Sequence, residues 1–214
     1  MPSKALVIVG AGGHAKVLAD LIAEGRLYRV SGATDADPEG PTARSSGIKI
    51  LGDDSILPRL LKRGVRHAAL GLGSIRDTAP RRKLRLRLVR IGFALPPLVH
   101  PRATVAKSAQ VRAGAQVMAG AVVNPGAVIG EGAVVNTGAV VEHDCLIGAG
   151  AFLGPRAAIG GGARIGPGAF VGIGASVKQG VRIGAGAVIG AGAVVLRDVP
   201  ADRTAYGVPA RVRP

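Results

Sequence analysis

Cysteine and large aromatic residues are almost missing from this chain. Cys145 is its single cysteine in 214 residues, so no internal disulfide can form, which fits a reducing compartment. Aromatic residues make up 2% and tryptophan is absent. Large rings therefore do not fill the core. The stacking platforms on which single-stranded nucleic acids bind are not visible either.

Long apolar runs are also missing. No stretch approaches the length that a membrane-spanning helix needs. The N-terminal segment MPSKALVIVGAGGHAKVLADLI is broken by glycines, whereas a secretory signal has an unbroken apolar centre. We therefore expect a cytoplasmic protein without a membrane partner.

Acidic residues are few, 13 against 28 lysines and arginines, giving a formal charge of +15. Such an excess suits nucleic acid, phospholipid or small anionic ligands. The densest basic run, RRKLRLRLVR at 81–90, places Leu84, Leu88 and Ile91 at helical spacing, which predicts a solvated helix face. No nucleic-acid-binding motif accompanies it, so we expect no nucleic-acid partner.

Glycine (34 residues) and small aliphatic residues are abundant, and from Val99 they follow a six-residue repeat. A small residue, usually alanine, follows most of the aliphatic positions by four. Such hexads are typical of a parallel β-helix, whose coils bury aliphatic side chains against each other. The seventeen aliphatic positions are Val99, Val105, Val111, Val117, Val123, Ile129, Val135, Val141, Ile147, Leu153, Ile159, Ile165, Val171, Val177, Ile183, Ile189 and Val195.

The sequence before the repeat alternates between apolar strand patterns and amphipathic helix patterns. This alternation predicts a small parallel α/β domain of Rossmann type. We expect two domains, residues 1–94 and residues 95–214, the second ending in a short tail. The segment FALPPLVHP, with three prolines, is expected to link them.

A glycine-rich turn, GAGGHA at 10–15, follows the first predicted strand and opens a helix. Its backbone N–H groups suit a phosphate at the positive end of the helix. With Asp35 about twenty residues on, the turn nearly matches a dinucleotide fingerprint, so NAD is one interpretation. The domain holds a single mononucleotide half, which favours a nucleotide carrying another group. A tight turn without ligand is the third possibility. His14 could hydrogen-bond a pyrophosphate.

The stretch NTGAVVEHDCLIG at 136–148 brings polar residues into an otherwise bland repeat. Cys145 falls on the place that alanine usually holds, which predicts core packing and not a nucleophile. His143 falls on an outward place between Glu142 and Asp144. A neighbouring acid orients an imidazole and raises its basicity, as a general base requires.

These stretches, together with VIVGAGGHAKVLADLI and DVPADRTAYGVPAR, resemble a family of hexapeptide-repeat sugar acyltransferases over nearly the whole chain. It comprises sialic acid O-acetyltransferases and UDP-bacillosamine and GDP-perosamine N-acetyltransferases. The resemblance implies a left-handed β-helix with three hexads per coil, acetyl-CoA as co-substrate, and a homotrimer with active sites between neighbouring prisms. It implies no metal.

The resemblance also implies roles for particular residues. His143 would be the base, with Asp144 raising its basicity, and Asn136 would lie near the acceptor sugar. The nucleotide sugar would bind at Gly12, Gly13, His14, Asp35 and Gly71, and acetyl-CoA at Phe152, Gly161, Ile173 and Ala191. Two positions depart from the family pattern: Phe152 stands where members often have a second histidine, and Ala36 where many have a second acid.

The implied function is transfer of acetyl to the amino group of a nucleotide-linked 4-amino-4,6-dideoxy sugar, for surface glycan synthesis. UDP is expected ahead of GDP as its nucleotide, on the family resemblance alone. O-acetylation of sialic acid or another free sugar is an alternative, since it needs no nucleotide site. A non-catalytic β-helix binding protein is a further one.

Overall fold

The structure is a computed structural model that describes residues 4–213. The chain forms two compact units. The first comprises the chain up to Gly73 together with Pro80–Pro101, and the second comprises Ser74–Ala79 and the chain from Arg102 onward. The domain boundary predicted after residue 94 falls within the last segment of the first unit.

The first unit is an α/β domain around a four-stranded parallel sheet in the order β3-β2-β1-β4. This order is that of one mononucleotide-binding half of a Rossmann fold, as the sequence predicts. The elements, in chain order, are β1 (Lys4–Val9), α1 (Gly13–Gly25), β2 (Tyr28–Thr34), α2 (Pro41–Arg44), β3 (Ile50–Gly52), a 3-10 turn (Asp54–Ile56), α3 (Leu57–Lys62), β4 (His67–Leu70), α4 (Ala79–Ile91) and β5 (Leu98–Val99).

Apolar spacing explains how the first unit packs. In β1, four consecutive residues from Leu6 to Val9 are buried, as in parallel strands covered on both faces. Helix α1 buries Ala15, Leu18, Leu21 and Ile22, which lie along one face. The predicted linker segment is not free of the core, because Phe93 and Leu95 are buried in it.

The Arg-rich segment forms α4, with Leu84 and Leu88 buried as predicted. One part of the expected solvated face is wrong: the Arg81 side chain is only 1% exposed. Its Nη1 donates hydrogen bonds to the carbonyl oxygens of Leu70 (3.0 Å) and Leu72 (2.5 Å). Burial lowers the pKa of Arg81 to about 9. Arg81 therefore secures the backbone at the end of β4.

The second unit is a left-handed parallel β-helix whose strands are two residues long. The strands are β6 (Thr104–Val105), β7 (Gln110–Val111), β8 (Gln116–Val117), β9 (Val122–Val123), β10 (Val128–Ile129), β11 (Val134–Val135), β12 (Val140–Val141), β13 (Leu146–Ile147), β14 (Phe152–Leu153), β15 (Ala158–Ile159), β16 (Arg164–Ile165), β17 (Phe170–Val171), β18 (Ser176–Val177), β19 (Arg182–Ile183), β20 (Val188–Ile189) and β21 (Val194–Val195). An antiparallel hairpin of β22 (Thr204–Gly207) and β23 (Ala210–Arg213) follows.

Each strand from β6 to β18 pairs with the strand three hexads further on, as Val128 does with Leu146. The strands therefore stack into three parallel sheets, the faces of a prism. Face 1 runs β7-β10-β13-β16-β19, face 2 runs β8-β11-β14-β17-β20-β22-β23, and face 3 runs β6-β9-β12-β15-β18-β21. Three hexads per coil agree with the prediction.

The interior of the prism is a stack of aliphatic and alanine side chains. The hexad aliphatics from Val117 to Val195 are buried, as are the alanines that follow them by four residues. Cys145 occupies an alanine place with no exposed surface, as predicted, and its Sγ donates to the Gly160 carbonyl oxygen at 3.1 Å. Most corners turn through a glycine at positive φ, such as Gly120 (φ 67°), a conformation that glycine adopts without a steric cost.

Candidate active site

His143 and Asp144 form a hydrogen-bonded pair at the corner between β12 and β13. The His143 Nδ1 lies 2.9 Å from Asp144 Oδ2, and both side chains are largely exposed. The hydrogen bond with Asp144 is the largest influence raising the pKa of His143, and the negative charges of Asp144 and Glu142 act in the same direction. Asp144 contacts Nδ1, which leaves Nε2 as the ring nitrogen that can take up a proton, as a general base requires.

The backbone at this corner explains the orientation of Asp144. Asp144 has φ 58°, in the left-handed region that glycine occupies at most equivalent corners. Aspartate is one of the few other residues that tolerate this region. The Asp144 Oδ1 lies where a side chain on Gly126, one coil earlier, would collide with it. The absence of a side chain at Gly126 therefore leaves the space that the Asp144 carboxylate occupies.

The imidazole of His143 lies against Gly161, one coil later. A Cβ atom added to Gly161 would lie 2.5 Å from Nε2 and 2.8 Å from Cε1 of His143. Gly161 was predicted to contact the coenzyme. The structure places it beside the base, at a corner that does not line the cleft described next, and the predicted contact with the coenzyme stays a prediction.

An apolar cleft of about 560 Å³ lies on face 2 of the prism. It brings together four residues predicted from the sequence, Asn136, Phe152, Ile173 and Ala191. Phe152 stacks on Phe170 of the next coil with ring centroids 5.7 Å apart. The remaining lining residues are Ser74, Ile75, Arg76, Gly154, Pro155, Gly172, Val188, Ile189, Gly190, Thr204 and Tyr206.

The segment Ser74–Arg76 lines this cleft although nothing in the sequence analysis singled it out. It is held on the prism by Thr78, whose Oγ1 donates to the Gly168 carbonyl oxygen at 2.7 Å. Asp77 accepts the Ala79 N–H at 2.8 Å, which caps the start of α4. A contact between positions 90 residues apart leaves no periodic signal in the sequence.

The cleft and the His143–Asp144 pair lie at different places on the prism. Asn136, Ile173 and Ala191 follow strands of face 2, whereas His143 follows β12 of face 3. His143 is not among the residues that line the cleft. Within one chain, therefore, these two groups of predicted residues are not brought together.

The glycine-rich turn of the first unit has the geometry of an anion site. Helix α1 begins at Gly13, and neither a capping side chain nor an acid occupies its first turn. An added Cβ at Gly13 would meet no protein atom within 4 Å, and one at Gly12 only Thr42 Cγ2 at 3.8 Å. Packing does not explain these two glycines. His14, in the same turn, lies beside Gly73.

Asp35 and Gly71 are close to the turn but are explained by the fold. Asp35 accepts the Ala11 N–H through Oδ2 at 2.7 Å and the Asp37 N–H through Oδ1 at 3.1 Å. A side chain on Gly71 would collide with the Gly10 carbonyl oxygen. Asp35 therefore holds the turn in shape, and Gly71 lets the ends of β1 and β4 approach each other.

Three further residues of the first unit could offer ligand atoms to a metal ion. One atom from each of Asp20, Glu24 and His100 lies within 4.8 Å of the others. His100 is buried, and its Nε2 lies 3.6 Å from Glu24 Oε2.

Comparison with known protein families and solved structures identifies relatives of both units. Residues 5–84 match the family described as the PglD N-terminal domain, and residues 126–161 and 162–197 match the bacterial transferase hexapeptide repeats. PerB from Caulobacter crescentus, solved with CoA and GDP-perosamine, is 41% identical, with a TM-score of 0.89 over 98% of this chain and 97% of that one. The chain belongs to this family of hexapeptide-repeat sugar acyltransferases.

Another family member gives the same result. The acetyltransferase domain of PglB from Neisseria gonorrhoeae FA1090, solved with acetyl coenzyme A, is 35% identical, with a TM-score of 0.88 over 99% of this chain and all of that one. WeeI from Acinetobacter baumannii AYE, at 24% identity and a TM-score of 0.73, shares the fold. A comparison with curated protein sequences finds no significant match. The likeness to PerB and PglB identifies the chain as an acyltransferase. It does not support the alternative of a non-catalytic β-helix binding protein.

No helix within residues 4–213 is long and apolar enough to cross a membrane.

Proposed function

We propose that this protein transfers the acetyl group of acetyl-CoA to the amino group of a nucleotide-linked 4-amino-4,6-dideoxy sugar. The observation that carries the proposal is the His143–Asp144 pair, 2.9 Å apart on a prism whose relatives bind CoA and GDP-perosamine. The product would serve surface glycan synthesis.

His143 acts as the general base in this mechanism. A sugar amine is protonated near neutral pH and must lose a proton before or as it attacks the thioester carbonyl. Nε2 of His143 takes that proton, while Nδ1 keeps its bond to Asp144. The developing imidazolium is stabilised by the carboxylate. No covalent acyl-enzyme is required, because the amine itself is the nucleophile.

The tetrahedral intermediate carries a negative oxygen that needs a donor. A backbone N–H group at a glycine-rich corner of the prism supplies it, since fixed amide dipoles stabilise an oxyanion without reorganisation. The thiolate of CoA then leaves and takes up a proton.

The apolar cleft of face 2 binds acetyl-CoA. Phe152, Ile173 and Ala191 give it apolar walls suited to the pantetheine chain. Asn136 lies at its edge, and its Oδ1 already accepts the Thr137 N–H at 2.8 Å. Its amide NH₂ is the group that would donate to the acceptor sugar or the acetyl carbonyl.

A homotrimer completes the site. The base and the cleft lie at different corners of one prism, so a single chain does not bring them together. When three prisms pack side by side, the His143 corner of one chain faces the cleft of its neighbour. This arrangement is the shared site that the family resemblance implies.

The nucleotide sugar binds at the glycine-rich turn. Gly12 and Gly13 leave open space for a pyrophosphate, and the N-terminus of α1 favours a negative charge. His14 adds a hydrogen-bond donor, and Asp35 keeps the turn in shape. Because PerB was solved with GDP-perosamine, GDP is the first nucleotide to test, ahead of the UDP that was expected on the family resemblance alone. Acetyl-CoA and sugar nucleotides are both cytoplasmic metabolites, so the reaction takes place in the cytoplasm.

Isothermal titration tests the acceptor class. GDP, UDP and NAD are titrated into the parent protein and into Gly12→Val, whose side chain has room in the fold but would occupy the phosphate space. We expect one nucleoside diphosphate to bind the parent and to bind the variant at least tenfold more weakly. If no nucleotide binds while free sialic acid is acetylated, the alternative O-acetyltransferase function replaces this one.

A further inference from the structure

The glycine at position 161 stands out within the repeat. Counting each hexad aliphatic as the first place, the third place holds a residue with a side chain in every hexad from Val99 to Val195 except that of Ile159, where Gly161 stands. The φ of Gly161 is not among the positive values at the corners. Neither the backbone nor the repeat therefore requires glycine there.

The reason for this glycine lies one coil earlier. Position 161 stacks directly on position 143, because the coil repeats every three hexads and Val141 pairs with Ile159. A Cβ at Gly161 would lie 2.5 Å from Nε2, 2.8 Å from Cε1 and 3.1 Å from Cδ2 of His143. The first two distances are shorter than a Cβ contact allows and the third is tight, so a side chain at 161 would push the ring away.

We infer that Gly161 is a positioning residue for the base, and that its missing side chain keeps the His143 ring over the next coil with Nε2 aimed at the acceptor. This inference rests on the proposed role of His143. Gly161 does not line the apolar cleft, and the coenzyme contact that the family resemblance implies for it stays a separate prediction.

Gly126 acts on the other half of the pair. It stacks below Asp144, and a side chain there would collide with Asp144 Oδ1. One glycine in the coil before and one in the coil after therefore leave space for the His143–Asp144 pair. Gly126 has φ 73°, so its replacement also strains the backbone, whereas the replacement of Gly161 does not. Gly161 is the cleaner position for an experiment.

The test compares Gly161→Ala and Gly161→Val with Gln179→Ala and Gln179→Val. Gln179 is exposed and occupies the same place one coil later, and alanine (Ala185) and isoleucine (Ile173) already stand at this place elsewhere. The coil therefore accepts all four variants. Because the His143 ring is exposed, it can swing outward in the Gly161 variants without unfolding the prism.

Steady-state kinetics and histidine NMR are measured on each variant. We expect kcat to fall about tenfold in Gly161→Ala and about a hundredfold in Gly161→Val, since small misplacements of a reacting group cost rates of that order. The KM for acetyl-CoA should stay within twofold of the parent. The NMR titration of His143, assigned with His143→Ala, should move to lower pH as the bond to Asp144 loosens. The Gln179 variants should match the parent.

Two other results are informative. A raised KM for acetyl-CoA with unchanged kcat and unchanged His143 titration would mean that Gly161 contacts the coenzyme, which overturns the inference. A changed His143 titration with unchanged kcat would support the positioning contact and remove His143 as the base, so the proposed mechanism would fail separately.

Discussion

The chemistry depends on two adjacent side chains, and at the scale of the residue their separate contributions can be measured. His143 supplies the proton acceptor, and Asp144 fixes its tautomer through the 2.9 Å contact at Nδ1. Glu142, next to them, acts on His143 only through its charge. Substitution of each of the three residues should therefore affect the reaction differently.

Replacing His143 by alanine should lower kcat by roughly 10²–10⁴-fold, the usual contribution of a general base. Because the ring is exposed, its removal should leave the fold and the affinity for acetyl-CoA intact. Release of CoA in the steady state measures the rate, and calorimetry measures binding. Glu142→Gln is the matched control, expected within a few-fold of the parent. A similar loss in both variants would argue against a special role for His143.

Asp144→Asn should move the acid limb of the kcat/KM profile to lower pH. The hydrogen bond to Asp144 raises the pKa of His143 above its ordinary value near 6.5, so removing the carboxylate lowers it. The imidazole is then neutral at lower pH, but it is a weaker base, and the plateau rate falls. Comparing profiles of parent and variant with one substrate cancels the titration of the amine. If the acid limb of the kcat/KM profile does not move, a group other than His143 determines that limb.

At the scale of the element, the structure separates residues that fill the fold from residues that face a ligand. Cys145 replaces alanine in the interior stack, and burial raises the pKa of its thiol. Arg81 joins α4 to the end of β4. Both residues carry reactive or charged groups, and both are explained by packing and hydrogen bonding.

Cys145→Ala should retain activity and lose about 1 kcal/mol of stability or less, because alanine already stands at this place in the neighbouring hexads. In the native parent the thiol should not react with iodoacetamide, and it should react once the protein is unfolded. Mass spectrometry distinguishes the two states. Rapid native modification that abolishes activity would assign the thiol a function.

Arg81→Leu should destabilise the first unit by about 2–4 kcal/mol. The substitution removes the donor shared by the buried Leu70 carbonyl and the half-buried Leu72 carbonyl; an orphaned buried group costs about 1–3 kcal/mol, and a half-buried one costs less because water can reach it. Denaturant unfolding measures the change. Arg82→Leu, the exposed neighbour, should change stability by about 0.5 kcal/mol or less.

At the scale of the whole molecule, the sequence predicted the regular β-helix well, but it did not predict the contacts between segments that are distant in the chain. The hexad register predicted a parallel β-helix and the outward place of His143, and the family resemblance implied its three hexads per coil. The strand and helix alternation predicted the α/β unit. Arg81 was misjudged because an arginine on a helix is usually solvated, and here two backbone carbonyls hold it. Ser74–Arg76 was missed because a surface contact across 90 residues has no sequence period.

The shared-site trimer should have a mass three times that of the 21.4 kDa chain in light scattering. Co-expression gives a sharper test. His143→Ala and Ile173→Glu, each inactive alone, should regain activity together, because one interface in a mixed trimer then combines an intact base with an intact cleft. Ile173 is 57% exposed, so the fold tolerates the glutamate. Failure to complement, or an active monomer, would place the whole site in one chain.

The constant register of the coil also limits how the length of this chain can change. Each strand from β6 to β18 pairs with the strand three hexads on, so a residue in the middle of the prism has a fixed neighbour above and below. Deleting one complete coil would leave the later corners on the same edges of the prism. Deleting a single hexad between His143 and Ile173 would rotate everything after it by one face. The cleft would then turn toward a different neighbour, although every remaining residue kept its own local structure.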